Sequence, residues 1–215
     1  MALQLEGVSL RLHERVLVGA INATVRSGEV LAVMGESGSG KSSLLACLAG
    51  LLEAPFSATG RVLLDGRDIT SLPTEQRSVG LLFQDDLLFP HLSVLDNLLF
   101  ALPAGRRSAR IAAAHAALAR AGLQGFAPRM PASLSGGQRS RISLLRALLA
   151  GPRALLLDEP FSKLDMALRE RMREFVWGEL RAQGVCAVLV THDAHDVPPG
   201  AQRIELPSQP ATHDA

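Results

Sequence analysis

The stretch Val30-Leu31-Ala32-Val33-Met34-Gly35-Glu36-Ser37-Gly38-Ser39-Gly40-Lys41-Ser42-Ser43 decides the fold. Its first five residues form an unbroken apolar run, the pattern of a strand buried on both faces. A glycine-rich turn follows, and then a helix expected from Lys41 to Leu52. Gly35 to Ser42 fills every fixed position of the pattern G-x-x-x-x-G-K-[ST], in the strand–turn–helix context that gives the pattern its meaning. Glycines let the backbone bend so that successive N–H groups point inward at phosphate oxygens. The helix N-terminus adds partial positive charge. Lys41 is placed to reach the β and γ phosphates, and Ser42 to offer its hydroxyl to Mg²⁺. Glu36 is read as pointing away from the fixed positions, with little effect.

Working outward, strands are expected at Leu3–Leu12, Ile21–Val25, Arg61–Leu64, Val79–Phe83, Ala154–Leu157, Val185–Val190 and, as an edge, Arg203–Leu206. Between about 85 and 150 the pattern is helical throughout: Ser93–Leu102, the Ala-rich Arg106–Ala121, and Gly136–Ala150. An amphipathic helix is expected from Met166 to about Gln183, with Leu168, Met172, Phe175, Val176 and Leu180 on one face. Apolar strands alternating with helices imply an α/β fold with a mostly parallel sheet covered on both faces. The domain expected is 1–206, with the helical part inserted in it, and 207–215 reads as a disordered tail.

Composition narrows the class. The chain has 215 residues, 47% hydrophobic and 20% charged, which excludes a disordered chain. Lys and Arg (22) nearly cancel Asp and Glu (21), so a generally basic nucleic-acid binder is not indicated. No apolar run approaches the roughly 20 residues of a spanning helix, and no secretory signal is read at the N-terminus. Cys47 and Cys186 sit in apolar stretches and read as buried, reduced thiols of a cytosolic protein. There is no Tyr.

Three further elements carry chemistry. Leu155-Leu156-Leu157-Asp158-Glu159 is an apolar strand ending in two carboxylates. Beside a phosphate loop, Asp158 would hold Mg²⁺ and Glu159 would act as general base on water; alone, the pair reads as a solvated turn before Pro160. Leu134-Ser135-Gly136-Gly137-Gln138 opens a helix with uncovered N–H groups, an anion site or an ordinary cap. His192 follows a buried strand, where a structural histidine is equally readable.

The order phosphate loop, Gln84, Leu134–Gln138, Asp158-Glu159, Ser162-Lys163-Leu164-Asp165 and His192 resembles the ATP-binding subunits of ABC transporters, over about residues 3–206. The resemblance implies a P-loop NTPase core with an antiparallel β part near the N-terminus, and hydrolysis of ATP with Mg²⁺. It implies nucleotide contacts from Gly35, Glu36, Ser37, Gly38, Ser39, Gly40, Lys41, Ser42 and Ser43. Metal ligation would fall to Ser42, Gln84 and Asp158, and catalysis to Glu159, His192 and Gln84. Leu134, Ser135, Gly136, Gly137 and Gln138 would be the signature motif facing the ATP of a second, identical subunit, and Ser162 and Asp165 the D-loop crossing between subunits. Lys163 replaces the family's more usual small residue.

Many family members stack adenine on an aromatic residue in the first strand region. Counting back gives Leu12, with His13 beside it, and the first aromatic residue of the chain is Phe56. Stacking is therefore expected to be weak, with modest preference for ATP over GTP. The form Phe89-Pro90-His91-Leu92-Ser93-Val94 is similar to short importer subunits of the thiamine, iron and sulfate type. Leu92, Val94 and Leu95 read as core; Leu88, Phe89 and Pro90 read either as core or as a groove for a transmembrane permease. The implied partners are that permease and a periplasmic or extracellular solute-binding protein, with no nucleic acid. The implied location is peripheral, on the cytoplasmic face of the inner membrane. An added C-terminal regulatory domain is not expected. Two other classes share these residues: a motor for lipoprotein release or cell division, and a soluble ATPase acting on nucleic acid. Roughly fifty residues separate Gln84 from Ser135, without sustained heptads, which opposes a repair-type coiled coil. Arg106, Arg107, Arg110 and Arg120 read as a solvated helix face rather than a basic stripe.

Overall fold

The computed structural model describes residues 1–83 and 85–207, so Gln84 and the tail from 208 lie outside the described residues. Two sheets organise the chain. The first is antiparallel, built from β1 (Ala2–Leu12), β2 (Arg15–Arg26), β4 (Phe56–Leu64) and β5 (Arg67–Asp68) in the order β2-β1-β4-β5. The second is parallel: β6 (Val79–Leu82), β7 (Ala154–Asp158), β8 (Cys186–Val190), β3 (Val30–Met34) and β9 (Gln202–Glu205), in the order β6-β7-β8-β3-β9. Strands β7 and β8 are buried at every position. That is why they read as continuous apolar runs, whereas β1 alternates on either side of a bulge and β2 is buried only at Val18, Ile21 and Val25.

Helix α1 (Lys41–Ala49) follows β3, and α5 (Met166–Gln183) joins β7 to β8. Leu31 and Val33 point into one core with Leu44, Leu45 and Leu48 of α1, while Val30 and Ala32 point into another with Met172, Val176, Trp177 and Leu180 of α5. The alternation of β3 thus serves both faces. Trp177, absent from the expected apolar face of α5, packs edge-on to Phe161 at 5.7 Å. Helices α2 (Val94–Ala101), α3 (Arg107–Arg120) and α4 (Gly136–Leu149) form a third core with Leu98, Leu118, Ile142 and Leu145. Among the described residues there is no strand between β6 and β7.

Several boundaries differ from expectation, among them that of β4, which begins at Phe56 rather than Arg61 where it pairs with β1. The second strand begins at Arg15 rather than Ile21, because the ladder to β1 also pairs Arg15, Val16 and Val18. Helix α1 stops at Ala49 rather than Leu52: Gly50 adopts φ 79°, and a Cβ there would lie 2.5 Å from Arg77 Nε. Arg110 leaves the solvated face, while Arg120 stays exposed on it. Arg110 donates to the carbonyls of Leu99 and Leu102, and Arg120 pairs with Glu179 at 3.2 Å.

Candidate functional site

Parallel strands place their carboxyl ends along one edge of the sheet, where ligands of such folds bind. A cleft of about 700 Å³ opens there. Of the expected nucleotide-site residues, Glu36, Ser37, Gly38, Gly40, Lys41, Ser42 and Ser43 line it, together with Asp158, Glu159 and His192. Gly35 and Ser39 stand behind this lining. Glu36 is exposed and lines the cleft, and its carbonyl accepts from Lys41.

The loop is closed on itself. Lys41 Nζ donates to the carbonyls of Gly35 (2.8 Å) and Glu36 (2.6 Å), which holds the buried ammonium at the centre of the turn. Gly40 takes φ 93°, and a Cβ on it would come within 2.7 Å of Leu17 Cγ. The loop thus packs directly on β2. Ser39 Oγ is buried without a hydrogen-bond partner, and α1 starts with no side-chain cap, so its first N–H groups stay available.

Asp158 ends β7 and accepts a hydrogen bond from the Ser42 hydroxyl; burial raises its carboxyl above the ordinary range, while Ser42 and Lys41 act against that rise. Next to it, Glu159 turns out of the strand at φ 45°, with its N–H donated to Val190 O at 2.9 Å. Glu159 Oε1 lies 2.9 Å from His192 Nδ1, so the two residues named for water activation are joined although 33 positions apart.

Ser135 and Gln138 form a capping box at the start of α4: Gln138 N–H donates to Ser135 Oγ (3.3 Å) and Ser135 N–H to Gln138 Oε1 (3.0 Å). None of Leu134–Gln138 lines the cleft. Leu134 is buried in the helical core, and Gly137 packs against Lys163 O and Leu164. Ser162 Oγ donates to Glu159 O (2.9 Å), and Asp165 caps α5 by accepting from Leu168 N–H (3.0 Å). Lys163 Nζ lies 3.7 Å from Asp85, and Asp86 accepts from Ser140 Oγ (2.6 Å) and Arg139 Nε (3.4 Å). The segment after Gln84 is thereby tied both to the 162–165 turn and to α4.

Sequence reasoning missed Leu17 and misjudged Phe56. Both line the cleft beside Leu12, so an aromatic ring does stand at this end of it. Phe56 reaches it as the Cα partner of Leu12 across the β1–β4 ladder. Only strand pairing brings residues 12 and 56 together, and no local signal in the sequence announces it. A second, apolar groove of about 380 Å³ is lined by Leu81, Leu87, Phe89, Phe100, Arg146 and Ala147, among others. Phe89 packs edge-on to Phe100 at 4.8 Å. Leu88 turns inward against the helical core, as do Val94 and Leu95.

No described helix is long and apolar enough to cross a membrane. The family model for the ABC transporter matches residues 18–162. The chain is 50% identical over 202 residues to an uncharacterized ABC transporter ATP-binding protein, YnjD, of Escherichia coli (strain K12), covering 94% of this chain and 93% of that one. It is 42% identical to the Fe(3+) ions import ATP-binding protein FbpC 1 of Rhizobium meliloti (strain 1021), covering 86% of this chain but 52% of that one. It thus spans about half the length of that import protein and nearly all of YnjD. The dimeric ATP-binding cassette MJ0796, solved in a post-hydrolysis state with ADP and Pi, superposes with TM-score 0.80 at 30% identity over 95% of this chain and 94% of that chain. With a phosphate loop, two carboxylates and a histidine gathered in one cleft, and with these likenesses over most of its length, the chain belongs to the ABC transporter ATP-binding family and is an ATPase of that class.

Proposed function

We propose that two copies of this chain sandwich two ATP molecules head to tail, and that their closure powers solute import through a partner permease. The observation that carries the reading is the cleft itself. It combines a phosphate cradle with the Glu159–His192 pair, yet receives nothing from Leu134–Gln138 of the same chain. A site so divided is completed by the Ser135–Gln138 helix start of a second copy, whose N–H groups and positive end suit a γ-phosphate.

Ser42 and Asp158 offer a hydroxyl and a carboxylate already in contact, the hard oxygen donors that Mg²⁺ prefers, with phosphate oxygens to complete the shell. Gln84, outside the described residues, is proposed as a third ligand and as the sensor of the permease. Bound there, the ion would neutralise charge on the phosphates. Glu159 takes the proton of the attacking water at Oε1, and His192 holds that oxygen in place through Nδ1. Lys41 leaves the carbonyls of Gly35 and Glu36 for the phosphates, exchanging one set of acceptors for another. Catalysis is then mainly positioning and charge stabilisation.

The Phe89–Phe100 groove is the surface proposed for a coupling segment of the permease. Import rather than lipoprotein release is supported by the names of the relatives, which include Fe(3+), sulfate/thiosulfate and spermidine/putrescine import proteins. Delivery by a solute-binding protein and a peripheral place on the cytoplasmic side of the membrane follow from that reading. The test is Glu159→Gln. ATP binding should persist while turnover falls by at least about 100-fold, the scale of a lost general base. Hydrolysis near the wild-type rate would refute the assignment.

A further inference from the structure

We infer that Phe56 is the platform on which the base of the nucleotide stacks, and that no side chain on its wall reads the base's edge. The inference rests on the reading of the cleft as an ATP site. The lining of the cleft divides by origin. Leu12 of β1, Leu17 of β2 and Phe56 of β4 come from the antiparallel sheet, and all three are apolar. The remaining lining residues come from the phosphate loop, from α1, and from the segments at the carboxyl ends of β7 and β8; all are polar, charged or glycine. A nucleoside triphosphate divides in the same way, into a charged chain and a flat ring.

The two walls are held at a set spacing. Gly40 packs so closely on β2 that a Cβ would meet Leu17 Cγ at 2.7 Å and Val18 Cγ2 at 2.9 Å. Phosphates seated on the loop therefore leave the base to meet the antiparallel sheet. Leu12 and Phe56 are Cα partners there, and the His13 N–H donates to Pro55 O at 3.4 Å, which ties the turn after β1 to the start of β4. His13 does not line the cleft, and His192 lies at its phosphate end beside Glu159, so Phe56 is the one ring on the apolar wall among the described residues. It is half-buried, which leaves ring surface for a ligand.

Stacking is tolerant of base identity because every base has a π-face. Strong discrimination needs a group that hydrogen-bonds the distinguishing atoms, and Leu12, Leu17 and Phe56 have no side-chain donor or acceptor. The wall then holds adenine and guanine alike, through a residue 44 positions from the one where an aromatic would be sought.

The test is calorimetric titration of the full chain with ATP, GTP and inorganic tripolyphosphate, for wild type, Phe56→Ala, Phe56→Leu and Phe56→Trp. Phe56→Ala should weaken ATP and GTP about tenfold each, about 1.4 kcal/mol, while tripolyphosphate affinity stays within about twofold. Phe56→Leu should lose less, and Phe56→Trp should keep its affinity and show quenching of the new indole by ATP. Unchanged ATP affinity in Phe56→Ala overturns the platform. So does an equal loss of tripolyphosphate affinity, which marks general damage to the site. A wild-type preference for ATP over GTP above about tenfold overturns the unread edge. A wild type that binds neither nucleotide overturns the ATP-site reading itself, and this inference with it.

Discussion

Glu159 occupies a left-handed backbone conformation, which costs a residue with a Cβ about 1–3 kcal/mol and persists only where its surroundings hold it. Here the holders are the Val190 carbonyl and His192, and the result is a carboxylate turned out of β7 into the cleft. Just beyond His192, Asp196 is buried at 3% exposure. Its Oδ2 accepts from Thr191 Oγ1 at 3.1 Å, while Oδ1 has no hydrogen bond and only Arg173 at 3.7 Å. Burial holds this carboxyl above its ordinary value of 3.8, Thr191, Arg169 and Arg173 opposing and Asp193 assisting. A raised carboxyl keeps its proton in the folded chain at pH values where the unfolded chain has lost it. Stability therefore falls as pH rises from about 3.8 through the raised folded value, and the loss is complete above it. Asp196→Asn should remove this dependence, so the stability of wild type relative to the variant should be greatest in acid and decline toward neutrality. Urea denaturation of both chains at several pH values measures it; a difference independent of pH would contradict the argument.

At the scale of the element, α1 depends on a residue outside it. Arg77 donates to the carbonyls of Cys47 (2.9 Å) and Leu48 (3.0 Å) in the last turn of the helix, the first of which also accepts from Gly50 N–H (3.1 Å), and to those of Leu72 (2.8 Å) and Thr70 (2.6 Å). A cation at the helix C-terminus also complements the dipole. Gly50 has to be glycine because a Cβ would strike this guanidinium. Arg77→Met should take a donor from four carbonyls, that of Leu48 buried and the others part-buried, and cost about 3 kcal/mol. For a chain of this size that lowers Tm by about 6–12 °C, read by thermal unfolding. Arg77→Lys, with fewer donors, should lose an intermediate amount. A melt of Arg77→Met within about 2 °C of wild type would remove the brace from the account.

For the whole molecule, the separation of Leu134–Gln138 from the cleft sets the expected assembly. In the proposed sandwich, one chain presents half of each of two sites. Without nucleotide the Ser135–Gln138 capping box satisfies itself and little draws two copies together. With ATP and Glu159→Gln blocking turnover, light scattering should find a dimer. Wild type without nucleotide should be mostly monomer. A stable nucleotide-free dimer would count against the sandwich. The ties from Asp85 to Lys163 and from Asp86 to Ser140 and Arg139 link the segment after Gln84 to both regions proposed to meet the second copy.

Much of this was legible because the chemistry is local. The phosphate loop lies within 14 consecutive residues, and strands buried on both faces declare themselves by unbroken apolar runs such as Leu155–Leu157. Family resemblance then linked Asp158, Glu159 and His192, and the fold brings them to one cleft. What stayed hidden depends on pairing between distant segments. Phe56 meets Leu12 through a β ladder, and Arg77 caps a helix that ended 28 residues earlier. The sequence by itself determined the parallel core and the phosphate cradle, since period and turn chemistry are properties of neighbouring residues. Only the tertiary structure decided which side chains form the wall opposite that cradle, because strand register is set by burial summed over a whole sheet.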